Sequence, residues 1–361
     1  MIRTDLSSRL GLRIPVIQAP MAGGPSSQEL VAACSAAGAL GSFGFAYTQP
    51  DEMRKQAAFV RGRTDKPFGM NLFVAPLPGA IDAGAQRGAL EAVAKYYTEL
   101  GLPAPEPARA PYAPDLEQQL KAVEEIKPRV FTTHFGSIAV ERLKSKGIVV
   151  GGSATCVAEA KRLQELGFDF VIAQGGEAGG HRGTYLRDPY QSLTGTIALV
   201  RAIVKAVKVP VVAAGGIMDG AGIAAVLALG AQAAQLGTAF IPCPESGAPQ
   251  VHKDLLVKAT EDETAITEKF SGKPARGLVN RFMTEMRDAP TLAFPAQNGV
   301  TGKLRQASAK AGKPDFVALW AGQGAALSRA LPAAELIAKL ESETAAALRH
   351  GASLVSEPAR V

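Results

Sequence analysis

The chain has 361 residues, 47% of them hydrophobic and 20% charged, which supplies one large buried core with room for a smaller appendage. Its 39 Lys and Arg exceed 33 Asp and Glu by 6, but the basic residues are mixed with acidic ones, which argues against a nucleic-acid surface and fits attraction for small anions. Three widely spaced cysteines exclude a disulfide framework and metal-ligand spacing and fit a reducing, cytoplasmic setting.

The first twenty residues contain no uninterrupted signal-peptide core, and no membrane span is expected. The most apolar stretch, 223–240, is broken by Gly230, Gln232, Gln235 and Gly237 and reads as a buried helix followed by a strand. In chain order, eight short β-rich runs are predicted: Val16–Ala19, Ala39–Phe43, Phe68–Phe73, Arg129–His134, Ile148–Gly151, Phe170–Gln174, Val211–Ala214 and Ala233–Leu236. Helix-like stretches separate them, among them Ser27–Ala37, Asp51–Val60, Leu116–Lys127, Cys156–Leu166, Gly195–Val207 and Gly220–Leu229. Eight such units predict an α/β fold, a (β/α)8 barrel, over residues 1–245.

One connection is too long for the repeat: residues 74–118 carry seven prolines around a helix-like piece, Ile81–Leu100, and read as an excursion over the barrel mouth. After Phe240 the alternation stops. Residues 246–305 are expected to form a cap, with a helix at Val251–Thr260 and a strand at Ala265–Phe270. Residues 306–361 are expected to add C-terminal helices that pack on the barrel, two of them sharing Pro332 within Leu327–Leu348.

Chemistry concentrates at the carboxyl ends of the strands, where barrel enzymes keep their sites. The sixth run enters VIAQGGEAGGHRG, in which Gln174 precedes five glycines, among them Gly179 and Gly180, around Glu177 and His181. Glycines let main-chain N–H groups approach an anion, although a tight βα turn needs them equally. The seventh and eighth runs end in glycine too, at Gly215 and Gly216 and at Gln235, Leu236, Gly237 and Thr238. Loops after these two strands form the recurrent phosphate site of this fold, so a phosphorylated ligand is expected there.

On the first strand, Met21, Ala22 and Gly23 offer main chain to a flat ring, and on the third Asn71 offers an amide to a pyrimidine-like edge; ordinary interior packing is the other reading of both. His134 and His181 sit at strand ends, His134 being open to the reading of a core histidine bonded to main chain. His252 and His350 lack polar company and are expected at the surface. No His and carboxylate cluster has metal-ligand spacing.

QAPMAGGPS, FGMNLF, AQGGEAGGHRG, AAGGI, QLGTAF and LWAGQG, in this order along nearly the whole chain, resemble the nitronate monooxygenase family, formerly called 2-nitropropane dioxygenase, and its class I branch. The resemblance implies non-covalent FMN, with flavin contacts at Ala22, Asn71, Gln174 and Gly179 and phosphate contacts at Gly216 and Gln235–Thr238. It implies His181 and His134 as active-site histidines and oxidation of alkyl nitronates such as propionate 3-nitronate with O2 to a carbonyl compound and nitrite. A homodimer is left open. The chain departs from the branch at Thr291–Arg305, where cavity tyrosines are expected and Phe294 stands instead; Tyr112 and Lys303 are weaker cavity candidates. The alternatives on this barrel are an NAD(P)H:quinone reductase or an enoyl-acyl carrier protein reductase, both FMN-dependent. A barrel that binds a phosphorylated metabolite without redox chemistry is the reading from another class.

Overall fold

The computed structural model describes residues 2–355. Eight parallel strands follow one another around a barrel: β1 (Val16–Gln18), β2 (Gly41–Gly44), β3 (Phe68–Phe73), β4 (Val130–His134), β5 (Val149–Ala154) and β6 (Phe170–Gln174), then, past a two-residue strand β7 (Gly180–His181), β8 (Val211–Ala214) and β9 (Ala233–Leu236). β6 pairs directly with β8 and β9 with β1, while a bridge between Ile17 and Leu40 joins β1 to β2 and completes the ring. All eight predicted runs are barrel strands. They read as near-continuous apolar segments because each is buried on both faces, as in FVIAQ and VVAA.

Inward-facing Ile17, Val130, Val149, Phe170, Ile172 and Val212 pack with Leu6, Leu10 and Leu12, so helix Asp5–Leu10 plugs the amino end of the barrel. Gly151 stands where a Cβ would collide with the Phe170 ring, and its lack of a side chain is what admits that ring to the interior. The outward faces pack on the surrounding helices, including Gln28–Ala36, Thr196–Ala206 and Gly220–Ala228. No helix among the described residues is long and apolar enough to cross a membrane.

Above the mouth lies a second core. Ala89, Val93, Tyr96 and Tyr97 of the excursion helix Ala83–Glu99 cluster with Phe270, Phe282, Leu304 and Phe316, so the excursion and the late segment form one roof. Beside it β10 (Thr264–Thr267) pairs antiparallel with β11 (Ala275–Leu278), which in turn pairs with β7. The expected strand at Ala265–Phe270 is thus shorter and earlier, and the helix expected at Val251–Thr260 runs Gln250–Leu256. β7, β11 and helix Ala296–Lys310 carry little local signal: β7 lies inside a glycine run, β11 reads ARGL, and the helix contains Gly299 and Gly302.

Two expectations are corrected. The two helices sharing Pro332 are one helix, Ala333–Ser353, with only a 3-10 turn, Ala325–Leu327, before it. Proline suits a helix start better than an interior, and here Pro332 is the N-cap. That helix lies on Gly220–Ala228 and Gln28–Ala36; the last six residues, 356–361, fall outside the described residues. His252, expected at the surface, is 3% exposed, because the helix carrying it packs against the stretch ending at Trp320. His350 is exposed as expected.

Burial lowers the His252 pKa to about 4, only partly opposed by a hydrogen bond to the Trp320 main chain, and no partner among the described residues reaches its Nε2. The unfolded chain protonates this ring near pH 6.5 and the folded chain does not, so its stabilising contribution is complete above about 6.5 and is lost as pH falls towards 4. Denaturant titrations from pH 7 to 5 should show stability falling by up to about 1.4 kcal/mol per pH unit from this residue, and His252→Gln should remove that component of the slope. An unchanged slope in the variant would show that the ring titrates alike in the folded and unfolded chain.

Candidate active site

The turn leaving β6 is built around one buried cation. Arg182 is fully buried, and its guanidinium donates to the main-chain oxygens of Gly175 (2.6 Å), Ser192 (2.6 Å) and Gln174 (3.1 Å) and to Gln174 Oε1 (3.1 Å). Burial lowers its pKa to about 10, which leaves it charged at neutral pH. Gln174 Oε1 also accepts from Gly183 N at 2.7 Å, while its Nε2 donates to the His181 carbonyl at 2.9 Å. The sequence marks Gln174 as a binding residue; the structure gives it the further task of stapling both ends of the loop.

Glu177, midway along that loop, accepts from the Thr196 N–H and hydroxyl at 2.8 Å, which ties the loop to the positive amino end of helix Thr196–Ala206. Gly179 is held against the late LWAGQG segment: a Cβ there would lie 2.5 Å from Ala321 C and Gly322 N. Gly180, with φ at +72°, has open space around it. Gln323 N donates to the Glu177 carbonyl (2.9 Å) and Gly322 N to Thr238 Oγ1 (2.9 Å), so the late segment closes over the ends of β6 and β9.

Beside it, Gly215 and Gly216 take left-handed φ angles of +117° and +70° after β8. Thr238 opens a 3-10 turn after β9, next to Gly237. Among the described residues, the N–H groups of Gly216, Gly237 and Thr238 meet no acceptor. Three unused donors at neighbouring strand ends have the chemistry of an anion-binding turn. Gln235 shares the inward parity of Ala233 and reaches the mouth half-exposed, whereas the Leu236 side chain points into the outer core and offers only main chain.

Across the mouth, Met21 N donates to Ser26 Oγ at 2.8 Å, and the Met21–Ala22 turn lies on Gly44, where a Cβ would come within 2.5 Å of Ala22 N. Gly23 continues the turn at φ +85°. Asn71 Nδ2 donates to Thr132 O (3.1 Å) and Oγ1 (2.9 Å), which fixes the amide and leaves Oδ1 as an acceptor with no donor among the described residues. The half-satisfied amide favours a ligand contact over pure core packing.

His181 and His134 come together at the carboxyl end of the sheet. His181 Nε2 lies 2.9 Å from Ser271 Oγ, and its ring is ringed at 5.6–5.8 Å by Phe73, Phe135, Phe294 and Trp320. This apolar cage, aided by His134, Lys273 and Arg305 charges, lowers its pKa to about 3 and keeps the ring neutral. Burial likewise takes His134 down to about 4. Its Nδ1 lies 2.9 Å from Ser153 Oγ and its Nε2 3.3 Å from the His181 carbonyl, so both ring nitrogens meet protein groups.

Lys273 Nζ stands 4.5 Å over the Phe135 ring, and burial lowers its pKa; no carboxylate among the described residues pairs with it. Phe73 and Trp320 lie inside the quoted FGMNLF and LWAGQG motifs, whereas Ser271 and Lys273 lie in none, since a loop distant in the chain supplies them. Lys303 points to solvent and pairs with Glu106, and Tyr112 packs in the roof core.

The chain resembles known proteins over nearly its whole length. The family model described as nitronate monooxygenase matches residues 6–343. A nitronate monooxygenase of Paraburkholderia phytofirmans is 42% identical, covering 92% of this chain and 93% of its own, and one of Pseudomonas aeruginosa is 42% identical, covering 94% and 99%. A solved nitroalkane oxidase from Streptomyces ansochromogenes superposes with a TM-score of 0.89 at 39% identity, over 97% and 99% of the two chains. FabK from Thermotoga maritima does so at 0.75 and 28%, over 98% and 100%.

The Arg182 arrangement makes a specific demand on stability. Arg182→Met leaves several buried carbonyls without donors and should cost more than about 2 kcal/mol, whereas Arg182→Lys, which keeps one cation, should cost less. Chemical denaturation checks this, and equal midpoints for Arg and Met would dismiss the stapling role.

Proposed function

The chain belongs to the nitronate monooxygenase family and oxidises nitronates; from that premise we propose that its flavin is FMN and that His181 and Lys273 handle the substrate. The observation carrying the reading is the juxtaposition of three unused N–H donors at Gly216, Gly237 and Thr238 with a neutral, caged imidazole at the same barrel mouth. The donors fit a phosphate monoester. Gly215 and Gln235 border them, and Asn71 Oδ1 and the free hydrogen of Gln174 Nε2 fit the donor and acceptor edge of a pyrimidine ring, with Met21, Ala22, Gly23, Gly179 and Gly180 supplying main chain around it. Bound there, FMN supplies the electron acceptor, and O2 is the second substrate in the conversion of a nitronate to a carbonyl compound and nitrite.

The residues prepare the substrate. Lys273, without a carboxylate partner and partly stripped of water, attracts the negative nitronate oxygens. His181, kept neutral by its burial, accepts the α-proton of a neutral nitroalkane at its free nitrogen or orients the bound anion. His134 acts as a positioning residue through the His181 carbonyl. The four rings around His181 exclude water from the reacting carbon. The cytoplasm fits this reading, since Cys34, Cys156 and Cys243 are all free thiols.

His181→Asn, with FMN retained, should lower kcat/KM for neutral nitroethane by about 10²–10⁴ and for ethylnitronate by less than about tenfold. Oxygen uptake on both substrates checks it; equal turnover would remove His181 from proton transfer. Gly216→Ala strains a left-handed position and brings a methyl to 3.1 Å from Glu177 Cβ, so it should lose flavin absorbance on purification. Anaerobic mixing should bleach the flavin with ethylnitronate and not with NADH; rapid bleaching by NADH would favour a reductase.

A further inference from the structure

The basic residues are scattered along the sequence, but the fold gathers a group of them in one place. At the amino end of the barrel, opposite the mouth, a concavity of about 690 Å³ lies between the plug helix Asp5–Leu10 and the segments that enter β3, β4 and β5. Arg9, Arg61, Lys66, Lys127, Arg129 and Lys146 line it against a single carboxylate, Asp65, a net charge of +5 in a chain whose total is +6. Ligand cavities commonly measure about 300–1,000 Å³, so the space admits a small molecule.

Two of the six cations have acidic partners: Arg9 pairs with Asp169 at 2.7 Å, and Lys66 stands 3.6 Å from Asp65. The other four meet no carboxylate among the described residues. Arg61 donates through Nη2 to the main-chain oxygens of Ile126 and Lys127 and lies 5.6 Å over the Phe68 ring, and Arg129 donates through Nη2 to the Arg9 carbonyl. Neutral groups thus orient both guanidiniums without cancelling their charge, and Nε and Nη1 of each meet no acceptor among the described residues. Lys127 and Lys146 are exposed and donate to no group there.

Structural duty accounts for part of this. The amino face of a barrel commonly serves stability, and cations at helix carboxyl ends suit the dipole, as Arg61 does through the carbonyls it meets. Lys127 is different. It is the C-cap of helix Leu116–Ile126 at φ +50°, a left-handed position where glycine or asparagine is the usual occupant. A lysine held there against the backbone preference, beside Lys146 and two oriented forks, belongs to a group of cations that repel one another until an anion joins them.

We propose that this concavity is a second ligand site, separate from the flavin and substrate cavity, and that it takes a chain of phosphates, either inorganic polyphosphate or the triphosphate tail of a nucleotide. Guanidinium forks grip phosphate oxygens in pairs, and lysines add charge without a fixed geometry. A concave wall suits a small, multiply charged ligand better than a membrane surface. The proposal stands apart from the nitronate reading.

Isothermal titration of the flavin-loaded holoenzyme with sodium tripolyphosphate, at about 50 mM and about 500 mM salt, tests it. Wild type should bind one equivalent, at least about tenfold more tightly than orthophosphate, and lose most of that affinity at the higher salt. Lys127→Asn combined with Lys146→Gln should weaken binding at least about tenfold with nitronate turnover unchanged, because asparagine tolerates the left-handed position and neither side chain is near the mouth. Should the double variant fail to fold, Lys146→Gln alone, at an exposed side chain, should weaken binding about threefold. Adenosine triphosphate separates the sources: binding tighter than tripolyphosphate assigns a nucleotide, and equal or weaker binding assigns free polyphosphate. No heat with tripolyphosphate, undiminished affinity in the variants, equal affinity for citrate, or capture of phosphatidylserine vesicles without saturable tripolyphosphate binding would overturn the site and leave nitronate oxidation intact.

Discussion

The buried guanidinium of Arg182 holds together a turn that would otherwise have three carbonyls pointing at one another. Main chain leaving a parallel strand has no further ladder partner, and here the oxygens of Gln174, Gly175 and Ser192 converge on a single planar cation. Everything functional near β6 inherits its position from this arrangement. Gln174 is gripped at its oxygen and so presents its amide to the His181 carbonyl, His134 approaches the same carbonyl from β4, and Glu177 is placed to cap the next helix. The imidazole of His181 is thus fixed through its main chain from one side and through Ser271 from the other.

The electrostatic character of the cavity follows from what surrounds that fixed ring. Aromatic faces remove water, which disfavours the imidazolium, and the cations at Lys273 and Arg305 disfavour it further. The result is a pocket in which the histidines are neutral and the positive charge resides on longer side chains without carboxylate partners among the described residues. Such a pocket selects for anions before any reaction takes place, in the same sense as the net charge of +6 on the whole chain.

Much of this was legible in the chain and some was not, for a physical reason. Barrel strands bury both faces and end in glycine, so FVIAQGG, VVAAGG and AAQLG announce both the element and the glycine turns proposed to hold an anion through local composition alone. The meeting of His134 with His181 was readable because both lie at strand ends, whose positions the fold dictates. The roof obeys no such repeat. The segments that carry Lys273 and Arg305 share a core with the excursion helix, a contact between stretches nearly two hundred residues apart, and nothing in GKPAR or TGKLR signals it. His252 was misread because its burial depends on the LWAGQG segment folding back, which its own neighbours do not reveal.

Trp320 is the sole indole of the chain, and its ring lies 5.6 Å from both His181 and Phe270. Ultraviolet emission of the whole protein therefore originates largely at one point, on the seam between the roof and the loop that carries His181. An isoalloxazine or a substrate arriving in the cavity changes the surroundings of that single emitter directly. The molecule carries its own optical gauge of occupancy, readable without label or turnover.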